Sequence, residues 1–285
     1  MVPGDRFVRT QAVDLHCLDW GTVGHPRVLL LPGVLQTAHT FDEVCVALRS
    51  EYHCVAADPR GHGDSSWSPE LDYGIEAQTV DVAAVVEQLG WSDVVLVGNS
   101  MGGRTALHYT AVHPERVAAV ILLDVGPELQ LAGVRRRTTN RGRAAQEIES
   151  IDAYVANALA RNPNLDEGRL RQSLRHNLRA TEHGTWIWKW DPRFPWQLDP
   201  VEYAQTLEIL WRDVDTIQQP VLVLRGERSD VFHDSDAEHL AGRFARGAWL
   251  RIPNAGHAVQ SDNPASVAAA ISEFLDAVLA TPRAR

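Results

Sequence analysis

The strongest constraint on the fold of this chain is a series of short, wholly apolar runs separated by longer stretches of helical periodicity. Val28-Leu29-Leu30-Leu31 halts at Pro32-Gly33, and residues 53–57 halt at Asp58-Pro59. Val94-Val95-Leu96-Val97 halts at Gly98, and residues 118–123 halt at Asp124. After a long gap come Val221-Leu222-Val223-Leu224 and residues 248–252. The central runs, apolar throughout, read as strands buried on both faces, which is the pattern of a parallel sheet. Between them, residues 75–89 place Ala77, Val80, Ala84, Val85 and Leu89 near helical spacing, and residues 102–112 and 264–280 read as further helices. Strand alternating with helix predicts α/β architecture: a mostly parallel central sheet, flanked by helices and joined by right-handed crossovers. Residues 6–19 are expected to add an antiparallel pair at one edge.

Residues 128–215 break this rhythm. They hold no buried strand run, and five of the nine tryptophans fall there: Trp186, Trp188, Trp190, Trp196 and Trp211. Residues 151–160 and 167–179 look helical. The expected organisation is a core over residues 1–127 and 216–285, with residues 128–215 inserted as a mainly helical cap. Arg135, Arg136, Arg137, Arg141 and Arg143 lie in that insertion. They fit a solvated helix face, or else an anion-attracting rim at an entrance.

The chain has 285 residues and a formal net charge of −10. An acidic surface repels phosphate backbones, which argues against a nucleic-acid partner. No apolar run reaches the ~18–20 residues of a membrane helix, and no signal peptide is visible, so no membrane partner is expected. Cys17, Cys45 and Cys54 are odd in number and suggest no disulfide pairing, which points to a reducing cytoplasm. No His, Cys, Asp or Glu cluster has metal-ligand spacing, so neither a metal nor another cofactor is expected. Lys189 is the only lysine, an arginine bias that hints at a bacterial source. The expected partner is a small-molecule substrate, and a homodimer is compatible with the chain.

The motif that carries chemistry is Gly98-Asn99-Ser100-Met101-Gly102, followed by Gly103. The pattern recurs by chance, but here it follows a strand and opens a helix. A serine on that sharp turn needs a strained backbone, with glycines on both sides for close packing of strand against helix. The helix N-terminus offers free N–H groups to a developing oxyanion. The loop Asp58-Pro59-Arg60-Gly61-His62-Gly63 is rich in turn formers, so Asp58 and His62 are expected to brace it.

On these residues the chain resembles the α/β-hydrolase family, over nearly its whole length. Leu30-Leu31-Pro32-Gly33 matches the oxyanion loop, residues 58–65 match a signature loop, and residues 96–103 match the nucleophile elbow. Pro32 stands where many members carry histidine. Its lack of an N–H does no harm if the donors are the backbones of Val34 and Met101. The resemblance implies Ser100 as nucleophile and His257, in the Gly256-His257 pair after the last strand, as base. The acid should follow the strand at 221–224, where Asp230 is the first choice. Asp124, at the end of the preceding strand, is the alternative. Trp186 and Trp188 are expected to share one face of an extended segment and to wall the substrate pocket, with His39 facing it.

The resemblance further implies a serine hydrolase that cleaves a carboxylic ester of a small apolar or aromatic substrate through an acyl-enzyme. Carbon–carbon, lactone and amide hydrolysis stay open, although Ala258 stands where carbon–carbon hydrolases often carry tryptophan. A non-hydrolytic binder or cyclase on the same fold is the reading from another class.

Overall fold

The computed structural model describes residues 2–130, 132–134, 147–161, 163, 166–195 and 200–279. The Arg135–Arg143 cluster and Trp196 lie outside these.

The strands are β1 (Gly4–Arg9), β2 (Asp14–Asp19), β3 (Arg27–Leu31), β4 (His53–Ala57), β5 (Val94–Asn99) and β6 (Val117–Leu123). The short pair β7 (Leu178–Ala180) and β8 (Trp186–Trp188) precedes β9 (Val221–Gly226) and β10 (Gly247–Ile252). Eight strands form one sheet in the order β1-β2-β4-β3-β5-β6-β9-β10. β1 and β2 pair antiparallel, as does β2 with β4, and the rest of the ladder is parallel. Every residue of β4, β5, β6 and β9 is buried, as expected of their apolar runs, and the polar His53, Asn99 and Arg225 near their ends are buried with them.

Period-two alternation divides these side chains between two cores. Val94 and Leu96 of β5 join one cluster with Val82, Val85 and Val86 of α2 (Ile75–Gln88) and Leu107 of α3 (Met101–Val112). Val95 and Val97 face the other way, onto Val44 and Leu48 of α1 (Asp42–Leu48) and Ile271 and Leu275 of α9 (Pro264–Leu279). Helices therefore cover both faces of the sheet.

Between β6 and β9 the chain forms α4 (Ile151–Arg161), α5 (Glu167–Asn177), the β7–β8 ribbon and α6 (Pro200–Thr216). The ribbon was not visible as an apolar strand run because its residues are only partly covered. The segment has an apolar cluster of its own, built on Ile148, Val155, Leu174 and Leu178. After β9 come α7 (Asp234–Arg243), β10 and the short α8 (Val259–Asp262).

All three cysteines are buried and free, and burial pushes the Cys17 thiol up to about 12. Asp58 braces the turn after β4. Its carboxylate accepts from the N–H groups of Ala38 (2.6 Å) and Asp64 (2.9 Å), and from His16 Nδ1 (2.8 Å). His16 is 3% exposed, and its Nε2 meets Asp5 at 2.9 Å.

Burial opposes charge on His16, but the hydrogen bonds to Asp58 and Asp5 outweigh it and hold the imidazole up at about 9. A group whose pKa is raised on folding stabilises fully below its ordinary value of about 6.5. That contribution, up to about 3 kcal/mol, is lost as pH rises through about 9. Urea-unfolding midpoints are thus expected to fall between pH 6 and pH 9.5. His16→Gln should flatten that fall, and an equal slope in the variant would exclude His16 as its source.

Candidate active site

Ser100 joins β5 to α3 and holds φ +51°, ψ −115°. Few non-glycine residues tolerate this left-handed region, and such strain persists only where packing enforces it. The glycines around it do the enforcing. A Cβ on Gly98 would lie 2.5 Å from the backbone of Gly102 and Gly103. One on Gly102 would lie 2.2 Å from Leu31 O, and one on Gly103 would lie 2.4 Å from Val125. Strand, elbow and helix approach more closely than any side chain allows.

The loop after β3 passes directly over the serine, since a Cβ on Gly33 would stand 3.2 Å from Ser100 Cβ. Gln36 Oε1 accepts from the Gly33 N–H at 2.9 Å and fixes the turn, in which Leu35 takes φ +64°. This leaves the N–H groups of Val34 and Met101 outside every hydrogen bond among the described residues. Met101 opens α3, where a backbone N–H lacks an intrahelical acceptor.

His257 lies on the loop between β10 and α8, and its Nδ1 donates to Asp124 Oδ2 at 2.9 Å. This corrects the expectation for Asp230: the carboxylate that holds the imidazole is Asp124. The sheet register explains why. Asn99 pairs with Leu123, so Ser100 and Asp124 follow at equivalent positions on neighbouring strands. Asp230 falls six residues beyond Leu224, which is the register partner of Leu123.

The loop after β9 serves the acid without supplying it. Gly226 N–H donates to Asp124 Oδ1 at 2.8 Å, and the Ser229 hydroxyl donates to Oδ2 at 2.5 Å. A fully buried carboxylate is costly unless its lone pairs are filled, and three donors fill those of Asp124. With Nδ1–H given to Asp124, the lone pair of the neutral ring lies on Nε2. Ser100 Oγ and this ring are not hydrogen-bonded to each other in the structure.

Asn99 ties the three segments together. Its Nδ2 donates to Leu123 O at 2.8 Å and to His257 O at 3.0 Å. Its Oδ1 accepts from Gln260 Nε2 at 3.3 Å, and that nitrogen also lies 3.1 Å from Gln36 Oε1. Asn99, Ser229 and Gln260 had drawn no role from sequence. The only signal was polarity in places where burial was expected: at the end of an apolar strand for Asn99, and after Ala258-Val259 for Gln260.

Trp186 and Trp188 pack against the inserted segment's own cluster, and Trp188 stacks on Trp190 with ring centroids 4.5 Å apart. His39 lines a cavity of about 280 Å³ between the core and α5. Gln36 and Ala258, neighbours of the oxyanion loop and of His257, line the same cavity. Thr40, Gln172, Ser173 and Asn177 make much of its wall polar.

Residues 26–264 match the α/β-hydrolase fold family. The chain belongs to that family. The hydrolase is 31% identical over 275 residues to the esterase Rv0045c of Mycobacterium tuberculosis, spanning 94% of this chain and 88% of the relative. It is 30% identical over 259 residues to the sn-1-specific diacylglycerol lipase ABHD11 of Mus musculus, spanning 88% and 81%. A crystal structure of the same M. tuberculosis esterase superposes with a TM-score of 0.75 at 29% identity, covering 97% of this chain and 92% of that one. Among the described residues of the hydrolase, no helix is long and apolar enough to cross a membrane.

Proposed function

We propose that this hydrolase cleaves a carboxylic ester through an acyl-enzyme, with Ser100 as nucleophile, His257 as base and Asp124 as the acid that orients it. The observation that carries the reading is the buried Asp124–His257 hydrogen bond, with Asp124 level in register with a serine held at positive φ. Serine is a weak nucleophile at neutral pH and needs a base whose free nitrogen faces it. Asp124 leaves that nitrogen unprotonated and stabilises the imidazolium formed when Ser100 gives up its proton. Substrate binding draws the hydroxyl and Nε2 together, since such bonds are often long in free enzymes.

Ser100 Oγ then attacks the carbonyl carbon, and the oxyanion forms against the N–H groups of Val34 and Met101. Each donor is worth about 3 kcal/mol in comparable sites. The imidazolium protonates the leaving alcohol. Water, deprotonated by the same ring, attacks the acyl-enzyme, and the carboxylic acid and Ser100 are released.

The inserted segment acts as a cap that roofs the site, and Trp186 and Trp188 pack against its own apolar cluster. The polar cavity beside His257 favours an ester that bears a hydrogen-bonding group, a shift from the apolar or aromatic substrate expected from the tryptophans. A panel of p-nitrophenyl esters tests this. It should vary chain length with and without a terminal hydroxyl or amide, and include an aryl ester and a lactone. Ester turnover with a preference for the polar members is expected. Lactone turnover alone, or none on any member, would refute ester hydrolysis.

A further inference from the structure

We propose a second site in this protein, a divalent transition-metal site formed by His39, Asp42 and His176. The three residues come from opposite sides of the core–cap junction. His39 lies on the 3-10 turn Ala38–Phe41, Asp42 opens α1 directly after it, and His176 lies in the last turn of α5. Each offers one ligand atom, and the three atoms lie within 4.8 Å of one another. Ligand nitrogens and oxygens stand about 2.0–2.2 Å from a bound zinc, so they gather to within about 4 Å of each other. Small rotations of half-buried side chains close that difference.

The local packing brings the two imidazoles together. The His39 and His176 rings stack with centroids 3.6 Å apart and 24° between planes. The stack holds the two imidazoles side by side, and turning one ring out of it aims both in-plane lone pairs at one ion. His39 Nδ1 already meets Asp42 Oδ2 at 2.9 Å, and this carboxylate supplies the negative charge. Glu43 lies 3.7 Å from Arg169, which also donates to the carbonyls of Ser261 and Asp262, and of the two cations near His176, Arg175 and Lys189, the lysine pairs with Asp64 at 2.7 Å. All three ligands line the 280 Å³ cavity, which leaves room for water in the remaining coordination positions.

Two imidazoles and one carboxylate select zinc, copper, nickel or cobalt over magnesium or calcium. A bound ion would clamp α5 of the cap onto the core. Sequence spacing concealed the site because His176 is 134 positions beyond Asp42 and only folding brings them together.

The test is titration of the full chain with zinc chloride by calorimetry, and with cobalt chloride by its visible d–d absorption. One ion per chain is expected, with a rise in unfolding temperature at saturating zinc. Loss of a group merely bonded to a metal ligand costs about 10–100-fold in affinity, so loss of a ligand should cost at least about 100-fold. His176→Ala and His39→Asn should each show that loss together with the loss of the cobalt spectrum. Either variant suffices if the other fails to fold. His257→Ala should bind zinc as the unaltered chain does. No zinc bound by the unaltered chain, unchanged affinity in the His176 and His39 variants, or loss of the site in His257→Ala would each overturn the assignment.

Discussion

Turnover of an activated ester is expected to fall by at least about 10⁴-fold when Ser100 is replaced by alanine, the scale seen when a serine nucleophile is removed from a triad. Covalent labelling by a fluorophosphonate should vanish with it. The loss is chemical in origin. Alanine carries the same Cβ as serine, so the strain at positive φ is unchanged and the close packing of Gly98, Gly102 and Gly103 that enforces the elbow stays as it is. The urea midpoint of the variant should match that of the unaltered protein. The proposed oxyanion donors at Val34 and Met101 are untouched by the substitution, and a small residual rate over water is expected from them. Labelling that persists in Ser100→Ala would place the nucleophile elsewhere and remove the basis of the proposed mechanism.

The second large effect separates two aspartates. Asp124→Asn should lower kcat by about 10⁴-fold, as the corresponding amide does where triad geometry is preserved. Asp124 accepts three hydrogen bonds, from Gly226, Ser229 and His257. An asparagine has one oxygen and one NH₂ group, so at least one of those donors would face another donor. If that donor is His257, the ring takes the tautomer with its proton on Nε2, where a lone pair is needed for Ser100. Asp230→Asn should stay within about threefold of the unaltered rate, a size consistent with a change outside the reacting groups. Steady-state kinetics on one ester decides the matter: a large loss at Asp230 with little at Asp124 would reverse the assignment.

Much of this was open to reading from the chain. The strands β3, β4, β5, β6 and β9 appear as apolar runs because a parallel strand covered on both faces takes few polar side chains, whereas the edge strand β10 is mostly exposed and its run carries Arg251. The turn at Ser100 was legible because only glycine fits where a strand and a helix meet at backbone contact, and Gly98, Gly102 and Gly103 all stand there. The acid was not decided at this level. Asp124 and Asp230 both follow an apolar strand, and both precede His257 in chain order, so local pattern cannot rank them.

The amino-acid order by itself therefore determined the layering of the protein, the position of its strained serine and the loop that carries its imidazole. These depend on local rules: burial of each strand face, the space a turn allows, and the residues that stop an element. Only the tertiary structure decided which carboxylate meets His257, because that depends on strand neighbourhood and register, which set Asp124 level with Ser100. It likewise decided that Trp188 stacks on Trp190 and that His176 lies against His39. Contacts between segments so far apart in the chain are set by how whole elements pack, and no short stretch of sequence carries that information.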